Sequence, residues 1–120
     1  MTDFKFSKKD NEAVEWCERT YPELTDEYKK IMMEQYVLFR KKHRNYGTGN
    51  INVGTNLDTN DDVKLALTGL WFRMNDKIQR LRQLVVNGEP NTVGETSEDT
   101  FQDLSVYGII AQIVSKKKFK

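Results

Sequence analysis

The chain has 120 residues, 38% of them hydrophobic and 31% charged, and 19 basic residues nearly balance 18 acidic ones. That length supports one domain with a real core and not two, and the composition is that of a soluble globular protein, not a disordered one. A net charge of +1 gives no strong signal for nucleic acid; the lone Cys17 cannot form an internal disulfide, and the longest apolar run, 65–72, is too short to span a bilayer.

In chain order, residues 8–19 can form a short helix carrying Ala13, Val14, Trp16 and Cys17. It ends at Tyr21-Pro22, because proline disfavours helix at the residue before it, so residues 1–22 read as an N-terminal helical extension. No apolar signal core precedes it, and a reducing cytoplasm is the expected location. A second helix is predicted from an N-cap at Thr25, where Asp26 and Glu27 suit the positive end of the dipole, to about Arg44. Its stripe would bury Tyr28, Ile31, Met32, Leu38 and Phe39. Gln35 falls inside that stripe, either as an amide satisfied by a neighbouring helix or as a ligand contact.

Residues 43–60 then turn glycine- and asparagine-rich and read as a long loop, of a length that is usually functional or mobile. It has no Gly-Lys-Ser/Thr ending and no preceding strand, so it is not a P-loop. Lys41, Lys42, Arg44 and Tyr46 beside Gly47 could still meet a phosphate through cations and backbone amides; a flexible connector is the plain alternative.

The third helix is predicted from an N-cap at Asn60 to Val86, with a core stripe of Leu67, Leu70, Met74, Ile78, Leu81 and Val85. A second face carries Asp62, Ala66, Gly69, Arg73, Asp76, Lys77 and Arg80. Gly69 inside the helix, like Gly108 further on, suggests close approach of another backbone or a ligand. After a loop over 87–95, a fourth helix runs from Thr96 or Ser97 to Ser115, and the lysines of 116–120 suit its negative end. The architecture expected is all-α, a compact four-helix bundle in one domain.

The fourth helix is the informative one. Residues three, four and seven apart share a helix face, and from Asp99 that face runs through Asp103, Val106, Tyr107, Ile110 and Val114. Two acids therefore stand on an apolar stripe, and a buried carboxylate costs several kcal/mol unless it is paired or bound to a metal. Sites in helical bundles are built from side chains on facing helices. Asp76, Asp99 and Asp103 are thus candidate ligands for Mg²⁺ or Mn²⁺, which prefer oxygen donors. Glu95 could add to them, while Arg73, Lys77 and Arg80 could hold phosphate oxygens. The plain alternatives are helix caps, which cover Glu95 and Glu98 well, and an internal ion-pair network.

Three segments carry a resemblance: Asn45-Tyr46-Gly47; Arg73-x-x-Asp76-Lys77-x-x-Arg80-Leu81; and Glu95-Thr96-x-x-Asp99-Thr100-x-x-Asp103-Leu104-x-x-Tyr107. Together they resemble the nucleotide-modification-associated domain family common in phages, often described as MazG-like, over about residues 25–115. The resemblance implies a MazG-like all-α domain of phage nucleotide metabolism, working in the host cytoplasm and assembling as a homo-oligomer. Related pyrophosphohydrolases are Mg²⁺-dependent and split nucleoside triphosphates into monophosphate and pyrophosphate.

On that footing Asp76, Asp99 and Asp103 would hold Mg²⁺ or Mn²⁺, and Glu95 and Asp99 would serve catalysis. Lys42, Tyr46, Gly47, Arg73, Lys77, Arg80 and Tyr107 would contact the nucleotide. Those hydrolases carry Glu-x-x-Glu and Glu-x-x-Asp pairs, whereas this chain offers fewer acids and more cations. A protein that binds or sequesters a nucleotide without cleaving it fits the same residues, and a protein–protein adaptor is a third reading.

Overall fold

The computed structural model describes residues 4–120. Five α-helices follow in order, α1 (Lys8–Thr20), α2 (Pro22–Tyr46), α3 (Gly49–Asn52), α4 (Asn60–Leu81) and α5 (Ser97–Ser115), with a π-helical turn at Arg82–Val86 closing α4. There is no strand among the described residues. The all-α class and the four long helices are those that the periodicity predicts. No helix among the described residues is long and apolar enough to cross a membrane.

Local capping explains where the helices start. Ser7 Oγ accepts from the Asp10 amide at 3.1 Å and opens α1. α2 begins at Pro22, three residues before the predicted cap, because proline is preorganised for the first helical position and needs no hydrogen-bonded N–H there. Thr25 is already inside the helix and its hydroxyl donates back to the Tyr21 and Pro22 carbonyls. α4 is capped by Thr59, one residue before Asn60. Thr59 Oγ1 accepts from the Asp62 amide at 3.1 Å, and Asp62 Oδ2 accepts from the amides of Thr59 and Asp58. Those bonds, Thr59's first, hold the Asp62 carboxyl below the usual aspartate value.

The chain divides into two compact units, one ending at Leu38 and the other running from Phe39 to Lys120. The division falls inside α2 and not at Pro22, since Phe39 is the first residue packed against the core. In the first unit Glu18 of α1 pairs with Lys29 of α2 at 2.6 Å. The stripe predicted to bury Tyr28, Ile31 and Met32 instead leaves all three exposed, and only Gln35 of α2 is buried.

In the second unit the core consists of Ile51, Leu57, Ala66, Leu70, Ile110, Val114 and Phe119. Residues 43–60 are therefore no bare loop: α3 buries Ile51 and Asn52, and Leu57 is fully buried. Leu57 takes a left-handed backbone (φ 57°). That conformation costs about 1–2 kcal/mol, and burying a leucine side chain, worth about 1.5–3 kcal/mol, offsets it. The core side of α4 is also rotated from the predicted stripe. Ala66 and Leu70 are buried, Ile78 and Val85 are exposed, and the basic face turns inward.

The basic tail holds the main surprise. α5 ends in a Schellman arrangement, with the Lys117 amide on the Val114 carbonyl, the Lys118 amide on the Ile113 carbonyl, and Lys117 at φ 56°. The reversal carries Phe119 into the core beside His43 and Phe39, with ring centroids at 5.4 and 6.3 Å. Asn52 Nδ2 donates to the Phe119 carbonyl at 2.7 Å, and Lys120 reaches Asp58 at 2.9 Å. The lysines thus accompany a docked terminus.

Gly69 and Gly108 do not mark close approach. A Cβ built on either meets nothing within 4 Å, and neither has a positive φ. Gly69→Ala and Gly108→Ala should therefore each stabilise the protein by about 0.5–1 kcal/mol in urea unfolding, by lowering the entropy of the unfolded chain.

Candidate functional site

The charged face of α4 meets the start of α5 through one lysine. Lys77 lies two turns beyond Leu70 on the inward side of α4, and Asp103 stands on α5 one turn before Tyr107, on the face that continues through Ile110 and Val114. Lys77 Nζ is 3.0 Å from Asp103 Oδ2 and 3.0 Å from Glu95 Oε1. The lysine and aspartate side chains are only 22% and 28% exposed. The Asp103 hydrogen bond raises the Lys77 ammonium above the usual lysine value; burial opposes this and Glu95 adds to it.

Arg80, one turn on, secures the same loop. Its guanidinium donates to the Glu95 backbone carbonyl and reaches Asn91 Oδ1 at 3.5 Å, while Nε lies 3.6 Å from Glu95 Oε2. Asn91 Nδ2 donates to that carbonyl at 2.6 Å. Arg80 Nε is buried and, at this separation, lacks a hydrogen bond. Arg73, one turn before Lys77, donates to the Asn50 carbonyl at 2.8 Å and so ties α4 to α3. No carboxylate lies within ion-pair range of Arg73 among the described residues.

Four of the residues singled out from the sequence therefore converge: Lys77, Arg80, Glu95 and Asp103. The others do not join them. Asp99 is exposed, and its carboxylate accepts from the Thr96 amide at 3.2 Å while Thr96 Oγ1 accepts from the Asp99 amide at 3.0 Å. This capping box gives Asp99 a local partner, so it does not face the core as its spacing suggested. Asp76 is exposed, and its carboxylate makes no hydrogen bond or ion pair among the described residues. Tyr107 packs against the core. Lys42 and Tyr46 are exposed at the end of α2; Gly47, at φ 65°, ends that helix with its amide on the His43 carbonyl. Nothing joins these three to the Lys77 cluster among the described residues.

No family model, curated protein or solved structure matches the chain. What the site can do rests on its own side chains.

Two cations and two carboxylates make the cluster electrically balanced. Among the described residues no three Asp, Glu, His or Cys side chains gather to hold a metal ion. Asp76, Asp99 and Asp103 do not form a common ligand set. An ammonium already stands between Glu95 and Asp103, the two acids nearest to sharing an ion, so the residues as arranged do not fit a divalent metal. Of the three cations on this face of α4, Arg73 is the one without a carboxylate partner among the described residues.

Asn91 was not legible as part of the site. Its only signal is a position four residues before Glu95 in a turn-forming segment.

Proposed function

We propose that this chain is a nucleotide-binding protein of phage nucleotide metabolism, acting in the host cytoplasm as a homo-oligomer, and that it holds its ligand without cleaving it. The observation that carries this reading is the Lys77 ammonium at 3.0 Å from both Glu95 and Asp103. A lysine there does the charge-balancing that a hydrolase assigns to its metal ion. The resemblance of three ordered segments to the nucleotide-modification-associated domain family supports the ligand class. Arg73, half-buried and without a carboxylate partner among the described residues, supplies a phosphate contact.

A second reading, Mg²⁺- or Mn²⁺-dependent release of pyrophosphate from a (deoxy)nucleoside triphosphate, is favoured by one fact. Glu95 and Asp103 approach the same point in space, so displacement of Lys77 would leave two oxygen donors facing each other.

Calorimetry of the full chain against canonical and modified (d)NTPs, with Mg²⁺ and again with chelator, separates the two. Binding that survives the chelator, with ligand recovered intact and affinity at least tenfold weaker in Arg73→Ala, is the expected result. Metal-dependent pyrophosphate release would replace the binding reading with the hydrolase. Absence of both binding and turnover across the panel would overturn the nucleotide assignment itself.

A further inference from the structure

One acid of the Lys77 cluster comes from a loop and not from a helix. Glu95 precedes Thr96, the cap of α5, whereas Lys77 and Arg80 stand on α4 and Asp103 stands within α5. The Glu95 carboxylate bridges two cations. Its Oε1 lies 3.0 Å from Lys77 Nζ and its Oε2 lies 3.6 Å from Arg80 Nε. Two oxygens on one central atom, each turned to a different cation, are also what a phosphate group presents.

The bridge fills its place poorly. Arg80 Nε is buried and lacks a hydrogen-bond acceptor, because 3.6 Å is beyond hydrogen-bond reach. The remaining ties of both cations do not need the carboxylate. The Arg80 guanidinium and Asn91 Nδ2 both donate to the Glu95 backbone carbonyl, and Lys77 keeps Asp103 at 3.0 Å. Glu95 is also the most exposed of the four side chains, at 34% against 21% for Arg80. It can therefore turn into water about its own side-chain bonds while the loop backbone and both helices stay where they are.

We infer that the Glu95 carboxylate occupies the seat of a ligand phosphate, and that a polyphosphate takes Lys77 and Arg80 by displacing it. The inference rests on the nucleotide reading for its ligand class and adds an internal competitor to that site. Arg73, Lys77 and Arg80 follow one another at spacings of four and three, so they form a row about 10 Å long on one side of α4. A row of that length suits a chain of phosphates better than a single one. A phosphate on Arg73, which has no carboxylate partner among the described residues, holds the next phosphates beside Lys77 and Arg80 at high effective concentration. A single carboxylate must compete with that. Ligands of low charge leave Glu95 seated, so this residue sets a threshold of ligand charge.

Calorimetry of the full chain in chelator, with inorganic tripolyphosphate and with dATP as probes, tests the displacement. Glu95→Gln removes the competing charge and keeps the carbonyl that Arg80 and Asn91 hold. It should bind tripolyphosphate about fivefold or more tighter than wild type, with unchanged helical circular dichroism. Glu98→Gln removes the same charge from an exposed position on the first turn of α5, and should match wild type within about twofold. Glu95→Asp keeps the charge but is one methylene shorter and cannot span both cations, so it should also tighten binding. Equal or weaker binding by Glu95→Gln would overturn the inference, and dATP binding by the wild type would leave the nucleotide reading standing. Equal tightening by Glu98→Gln would reduce the effect to net charge and overturn the inference as well. Tripolyphosphate binding of the expected pattern without any dATP binding would keep the phosphate seat and overturn the nucleotide reading instead. Failure of both wild type and Glu95→Gln to bind tripolyphosphate would show that no such seat exists.

Discussion

Phe119→Ala is expected to destabilise the second unit by about 3–5 kcal/mol, the range for emptying a buried phenylalanine site. Phe119 lies between His43 and Phe39 and completes a core that also holds Ile51, Leu57 and Val114. Its backbone carbonyl accepts the Asn52 amide, and the Asn52 Oδ1 atom is already buried without a hydrogen-bond partner. Asn52 therefore has little slack if the terminus withdraws. A small domain has about 5–15 kcal/mol of stability in total, so the loss should move the urea midpoint sharply and lower Tm by more than 10 °C, at about 4–8 °C per kcal/mol. Phe101→Ala, at an exposed position on α5, is the control and should change stability by less than about 1 kcal/mol. Equal effects of the two variants in urea unfolding would show that the terminus is not docked.

The second large effect is expected at Lys77. Lys77→Met keeps the stem of the side chain but leaves Asp103 without its cation and returns Glu95 to Arg80 alone. Loss of a partly buried charge-assisted pair should cost about 2–3 kcal/mol. Adding Asp103→Leu should recover much of that, because removing both partners also removes the unpaired charge. A double variant no more stable than Lys77→Met would mean that the pair is not coupled.

The same lysine sets an alkaline limit. Its folded pKa is raised above the ordinary value of 10.5, so the stabilisation is fully present below that value and is lost as pH rises through the folded pKa. Wild type should therefore show a loss of stability above pH 10.5 that Lys77→Met lacks, measurable as the difference between their unfolding midpoints across that range.

Much of this was legible in the residues because the signals are local. Thr96 was one of the two caps read for α5, and Thr59 lies one residue before the cap read for α4; each accepts from an amide three residues on. Asp103 was legible as an acid on an apolar stripe, and Lys77 as part of the basic face opposite. Asp99 shares Asp103's stripe in projection, yet it stands three residues after Thr96. At a helix's first turn, free backbone amides compete for a carboxylate, and here they prevail. The α2 stripe was read correctly as apolar and wrongly as covered, since periodicity reports what a helix can bury and not which surface buries it.

Phe119 lay hidden behind three lysines that suggest a solvated tail, and Leu57 behind asparagines and glycine. Their burial depends on single left-handed residues, Lys117 and Leu57 itself, neither of which is a residue type that announces such a turn.

By itself the sequence determined an all-helical chain, the approximate ends of its four long helices, and an acid that needed a cation. Those follow from interactions spanning a few residues along one helix. Only the tertiary structure decided that the cation is Lys77, that Glu95 joins it, and that the terminus closes on Asn52. These pairings link residues 18 to 67 positions apart in the chain. Each is formed only when helix packing brings distant side chains together, and no short-range pattern encodes which of several available partners arrives first.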